Sequence, residues 1–174
     1  LAKRPKVVAV GECGLDYFYN HSPRQQQMEM LKAQIELAIE HDLPLIFHVR
    51  EAFDDFWPIF DSYSGLRGVL HSFTDTQANL DHALRAGLYV GVNGISTFTK
   101  NADQQSMYGA IPLDKLLLET DAPYLTPAPK RGKLNEPALV TLVAQFQADL
   151  RHISLEELSV ATSQNATKLF KLKF

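Results

Sequence analysis

The sequence predicts an α/β fold of the (β/α)8 TIM-barrel type, a partial barrel of about five βα units in one domain over residues 1–174. Two observations carry this. Short apolar strands alternate with amphipathic helices along the chain, the pattern of a parallel sheet covered by helices. Four of the five strands also run into a potential metal ligand. That layout favours a barrel over an open doubly wound sheet, because barrel sites are assembled from the ends of several strands.

The elements follow in order. Residues 6–10 (KVVAV) are short and β-branched and precede Gly11, reading as the first strand. Ser22, Pro23 and Gln25 mark a helix start, with Ser as cap, Pro at the first position and Gln three after the cap. Met28, Leu31, Ile35 and Ala38 then recur at helical spacing. Residues 44–47 (PLIF) form the second strand, and Phe53, Phe56, Trp57 and Phe60 mark the buried face of the next helix. GVL at 68–70 is the third strand. Residues 76–86 are helical, with Leu80, Ala83 and Leu84 on one face and Gly87 as the stop. Strands follow at 88–92 (LYVGV) and 115–118 (KLLL). Asn135 is placed to cap a helix bearing Leu139, Val140, Val143, Phe146 and Leu150, and Ser154-Leu155-Glu156-Glu157 is a capping box opening the last helix. No repeat, low-complexity tract or linker interrupts the series.

Composition bounds the function. Apolar residues make up 45% and charged residues 21%, as in an ordinary globular protein. No run reaches the roughly 18 apolar residues of a membrane span, so no membrane association is expected. The lone cysteine, Cys13, cannot form an internal disulfide, and a reducing cytoplasmic setting is the simplest. Net charge −3 and pI 6.1 exclude a protein that holds nucleic acid through a broad basic surface. They leave room for an enzyme whose phosphate contacts are confined to a pocket where bound cations supply the positive charge.

The strand-end residues are Glu12, His48, His71 and Asp121. In a parallel sheet these ends share one side, so the four groups are expected to converge. Imidazole and carboxylate suit Zn, Mn, Fe or Mg-like cations, and carboxylates can bridge two of them. Paired cations can clamp the attacking and leaving oxygens of a phosphodiester. His48 and Arg50 are two apart, as are Glu119 and Asp121, so each pair shares a face if its strand continues. Arg50 is a candidate phosphate ligand, and Lys130, Arg131 and Lys133 are candidate positioning contacts to a DNA backbone. Glu119 and Asp16 are candidate supporting groups. Cys13 reads as a small packed side chain, and the aromatic run from Phe53 to Phe60 as core. Each candidate also has a plain structural reading, as a helix cap, a surface ion pair or a hydrogen-bonded histidine.

The local sequences narrow these alternatives. GECGLDY (residues 11–17), FHVREAF (47–53), LHSF (70–73) and LLLETDAPYL (116–125) resemble, in order and in register, the signature segments of TatD-type deoxyribonucleases. NGISTF (93–98) and RGKLNEP (131–137) resemble two more, and the match extends to NATKLF (165–170). The resemblance implies a metal-dependent hydrolase on a (β/α)8 barrel that cleaves DNA phosphodiester bonds, as a 3'-5' exonuclease, with two divalent metal ions of Mg, Mn or Zn type. Carried over residue by residue, Glu12 would bridge the metals and His48 and His71 would ligate one of them. Asp121 would bind the other and orient or deprotonate the attacking water. Asp121 and Glu12 are thus the catalytic candidates, DNA the expected substrate, and no obligate protein partner is implied.

One departure stands out. The family's first strand carries an HxH pair of ligands. The six histidines here are His21, His41, His48, His71, His82 and His152, and no two are separated by a single residue. The chain is therefore expected to begin at the family's fourth strand, with three βα units, something over ~80 residues at ~25–30 per unit, outside it. Two other readings stay open: a barrel metallohydrolase acting on an ester, lactone or amide, and an inactive remnant without the HxH ligands.

Overall fold

The computed structural model describes residues 1–19 and 21–173. They form two compact units, one made of Leu1–His71 with the segment from Lys168 onward, the other of Ser72–Thr167. The fold is α/β, and within each unit strands that follow one another in the chain are parallel neighbours in the sheet.

The first unit contains β1 (Val10–Asp16), α1 (Arg24–Glu40), β2 (Leu45–Arg50), α2 (Phe53–Asp61) and β3 (Gly68–Leu70). Strand β1 starts where the expected strand ends. Residues 1–7 turn instead, with Arg4 N–H donating to the Leu1 carbonyl and Val7 N–H to that of Arg4. Lys6 has φ +75°, a left-handed value that an extended β-branched run cannot continue through. The ladder with β2 overrides the poor strand propensity of VGECGLD, whose glycines and charges hide it from a propensity reading. The expected cap of α1 is also corrected. Pro23 stands at the cap position and no side chain caps the helix. The Ser22 carbonyl instead accepts from Gln27 Nε2 at 3.0 Å, because an extended Pro23 places Ser22 one residue too early to reach the first-turn N–H groups.

Strand β2 runs three residues past the apolar segment, so His48 and Arg50 lie inside it rather than after it. The core of this unit is apolar from both layers: Leu31, Ile35 and Ala38 from α1, Leu15, Leu45 and Phe47 from the strands, and Phe53, Phe56, Trp57 and Phe60 from α2, all buried. Phe56 packs against Phe47, Phe53, Trp57 and Phe60 at centroid distances of 5.0–5.9 Å.

The second unit contains α3 (Gln77–Arg85), β4 (Tyr89–Val92), α4 (Ala102–Ala110), β5 (Leu116–Leu118), α5 (Val140–Arg151) and α6 (Leu155–Phe170) up to Thr167. Thr76 caps α3 and Ser154 caps α6, accepting from the N–H groups of Asn79 and Glu157. Helix α4 has no counterpart in the sequence reading. It buries only Met107 and Tyr108, too few positions to make a periodic stripe, although its Asn101 cap, accepting from Asp103 and Gln104 N–H, was a readable start signal. Asn135 does not cap α5, which begins after a 3-10 turn at Pro137–Leu139. Its buried amide donates to the carbonyls of Thr120 and Tyr124 at 2.7 and 2.5 Å, fastening the loop after β5. Buried Asn165 of α6 likewise donates to Leu113 and Leu116 carbonyls at 2.8 Å. Among the described residues no helix is long and apolar enough to cross a membrane.

Candidate metal centre

The amino half of β1 is irregular in a way that serves Glu12. In the β1–β2 register Gly11 pairs with Ile46 and Cys13 with Phe47, leaving Glu12 as the extra residue of a bulge. A bulge takes one residue out of the ladder and re-aims its side chain. Two residues on, Gly14 lies against the His48 carbonyl. A Cβ there would fall 1.8 Å from that oxygen, and Gly14 has φ +154°, so only glycine lets the two strands approach at the level of His48.

These contacts gather Glu12, His48 and His71. One donor atom from each lies within 4.8 Å of the others, the only such group among the described residues. Glu12 turns one carboxylate oxygen to His71 Nε2 at 3.1 Å and the other to His48 Nδ1 at 4.0 Å. Asp16 holds His48 from the far side, its Oδ2 lying 3.0 Å from Nε2. The other Asp16 oxygen accepts from the N–H groups of Phe18 and Tyr19 at 2.9 and 3.2 Å, and its own N–H donates to Gln27. Burial works against this carboxylate, but the His48 bond and the Tyr19 and Phe18 N–H groups outweigh it and hold its pKa below the ordinary value. With an anionic Asp16 receiving a proton from Nε2, the His48 lone pair sits on Nδ1, facing Glu12.

This donor set fits a divalent cation. Donors about 2.0–2.2 Å from one ion stand about 3.0–3.6 Å apart. The Glu12–His71 separation already matches, and the half-exposed Glu12 side chain has the rotamer freedom to close the other. Cys13 takes no part: burial first, and the Glu12 charge second, push its thiol up to about 12, and it is 3% exposed.

Arg50 lies on β2 two residues beyond His48. Its guanidinium sits over the Phe18 ring, 3.8 Å from the centroid, and 5.0 Å from that of Tyr19. The expectation of a shared face for His48 and Arg50 rests on β2 continuing, and it does. Sequence reasoning missed the Phe18–Tyr19 pair. Its signal was an aromatic run, YFY at 17–19, outside any apolar periodicity.

The remaining candidates belong to the second unit. Glu119 accepts from Ser72 N–H at 2.6 Å, and a Cβ on Gly91 would lie 2.5 Å from its other oxygen, so Gly91 makes the room it occupies. Asp121 follows β5 with φ +57°, in the left-handed region that functional loops often use, and its carbonyl accepts from Tyr124 N–H at 2.9 Å. Of the basic trio, Arg131 serves the loop itself, donating to the Thr126 carbonyl at 3.2 Å and lying 3.6 Å from the Phe98 centroid. Lys130 and Lys133 are exposed.

YabD of Bacillus subtilis (strain 168), named an uncharacterized metal-dependent hydrolase, is 38% identical over 174 residues, 99% of this chain and 68% of its own length. The 3'-5' ssDNA/RNA exonuclease TatD of Erwinia billingiae is 40% identical over 179 residues, covering 99% of this chain and 69% of itself. The crystal structure of YJJV, a TatD homolog from Escherichia coli K12, matches with a TM-score of 0.89 at 30% identity, over 97% of this chain and 66% of that one. The chain thus spans about two thirds of the length of these proteins. The family model for TatD related DNase matches residues 1–171, and on the strength of that match, the similar relatives and the shared fold, this chain belongs to the TatD-related DNase family.

Proposed function

We propose that the protein bearing this chain is a divalent-metal-dependent hydrolase of nucleic-acid phosphodiester bonds, working on DNA from the 3' end. The observation that carries this reading is the meeting of Glu12 and His48, inside β1 and β2, with His71, directly after β3, within 4.8 Å on three adjacent parallel strands. The 3'-5' exonuclease name borne by the Erwinia relative supports the choice of substrate. Glu12, His48 and His71 would hold one divalent cation, and Asp121 would help to hold a second. A bound divalent cation supplies Lewis-acid polarisation of the phosphoryl oxygen and lowers the pKa of a water. Asp16 keeps the His48 lone pair on Nδ1. Asp121 orients the attacking water and accepts its proton. Lys130 and Lys133 meet backbone phosphates, which positions the strand without reading its sequence.

The test is single-turnover cleavage of a 5'-labelled single-stranded oligonucleotide, with Mg or Mn and then with EDTA. Cleavage should shorten the strand from the 3' end and stop in EDTA. Replacing Asp121→Asn removes the proton acceptor while keeping the shape, so kcat should fall by at least ~10²-fold, the range general-base catalysis supplies. Hydrolysis of carbonyl esters or lactones but of no oligonucleotide would overturn the substrate. An Asn variant that keeps its metals and the unmodified rate would overturn the role of Asp121.

A further inference from the structure

The three aromatic residues that follow β1 divide sharply by exposure. Tyr17 is buried, its hydroxyl donating to Asp55 Oδ2 at 2.7 Å and its ring covered by the Arg24 guanidinium at 4.2 Å. Phe18 and Tyr19 are 49% and 56% exposed. They stand edge to face, 4.8 Å between centroids with an interplanar angle of 89°. Leaving two large rings half in water forgoes hydrophobic stabilisation that the same residues would gain inside, yet several contacts hold them there. Asp16 Oδ1 accepts from both backbone N–H groups, Arg50 covers Phe18, and the His21 ring stacks on Tyr19 at 5.4 Å and 8°. The other oxygen of that same Asp16 holds His48. One carboxylate thus ties the exposed rings and the metal-ligand cluster together.

We propose that Phe18 and Tyr19 form a stacking shelf for an unpaired base of a single-stranded nucleic acid, with Arg50 supplying the charge for an adjoining phosphate. The proposal rests on the nucleic-acid reading above and adds to it the element that selects single strands. An unpaired base exposes both faces to a protein ring, whereas a base inside a duplex is covered by its neighbours, so an exposed ring pair discriminates strandedness. Every base has a π-face, so such a shelf tolerates any sequence. The cation among the rings suits a polyanion.

The experiment uses a short phosphorothioate-linked oligodeoxynucleotide with 2-aminopurine in its last two 3' positions, a companion with abasic residues there, and Mg present. Binding to the unmodified protein should quench 2-aminopurine emission and be about tenfold or more tighter than for the abasic companion. The double variant Phe18→Ala/Tyr19→Ala should lose the quenching and bind both strands alike. Phe18→Trp/Tyr19→Trp, which keeps the rings, should retain the preference for bases, and circular dichroism should be the same for all forms. If the unmodified protein quenches and binds but the Ala variant does so equally, or if the Trp variant loses the preference, the shelf is overturned and the nuclease reading stands. If the unmodified protein binds neither strand, the nucleic-acid reading falls and the shelf with it.

Discussion

Asp16 touches three partners with two oxygens, and its substitution by Asn separates their roles. An Asn Oδ1 can still accept from the Phe18 and Tyr19 N–H groups. Its NH2 group, however, would face His48 Nε2, where the carboxylate now receives a proton. His48 would have to turn its lone pair to Nε2 and its proton to Nδ1, toward Glu12. We therefore expect Asp16→Asn to weaken Zn or Mn binding by about 10–100-fold, the usual effect of losing a group that orients a ligating histidine. Isothermal titration measures this, and 15N spectra of the imidazole should report the change of tautomer. Unaltered affinity with an unaltered tautomer would show that Asp16 only closes the loop.

At the scale of elements, α2 buries Phe53, Phe56, Trp57 and Phe60, and Phe56 is the centre of the cluster, fully buried among four other aromatic rings. Phe56→Ala removes contacts on every side, in a helix whose neighbours cannot collapse into the gap without leaving their own packing. The expected loss is about 3–5 kcal/mol, read as a shift in urea midpoint. A loss below about 1 kcal/mol would mean that the cluster is loosely packed. The sequence identified α2 and its buried face because apolar residues dominate its period. It misplaced β1 because that strand is specified by partners more than by propensity. Lys6 turns the chain before it, Gly14 admits the β2 backbone, and the bulge at Glu12 exists only once Cys13 has paired with Phe47.

At the scale of the whole molecule, stability should decline above pH 10. Burial and the bond to Asp55 push Tyr17 up to about 12, and burial together with the Glu119 charge also raises Tyr108, whose hydroxyl donates to the Phe73 carbonyl. Both phenols stay neutral in the folded protein at pH values where an unfolded tyrosine, near 10, has begun to ionise. Their contribution is full below pH 10 and is lost as pH rises through the folded values, because the unfolded chain releases its protons first. Tm measured from pH 8 to 12 should fall mainly above pH 10. Tyr17→Phe and Tyr108→Phe should each flatten the fall, and a curve left unchanged by either replacement would contradict the assignment.

The amino-acid sequence by itself determined the alternation of strands and helices, most of the buried helix faces and the residues proposed as metal ligands. These are readable because they are periodic or sit in segments whose order is specific. Tertiary structure alone decided which atoms of those residues face each other: Nδ1 of His48 and Nε2 of His71 toward the two oxygens of Glu12. It also decided that Asn135 fastens a loop instead of capping a helix, and that Phe18 and Tyr19 stay in water while Tyr17 does not. None of these is a property of local sequence. Each depends on which backbone carbonyl, carboxylate or ring another part of the chain brings within reach, and that is settled only when the strands have paired.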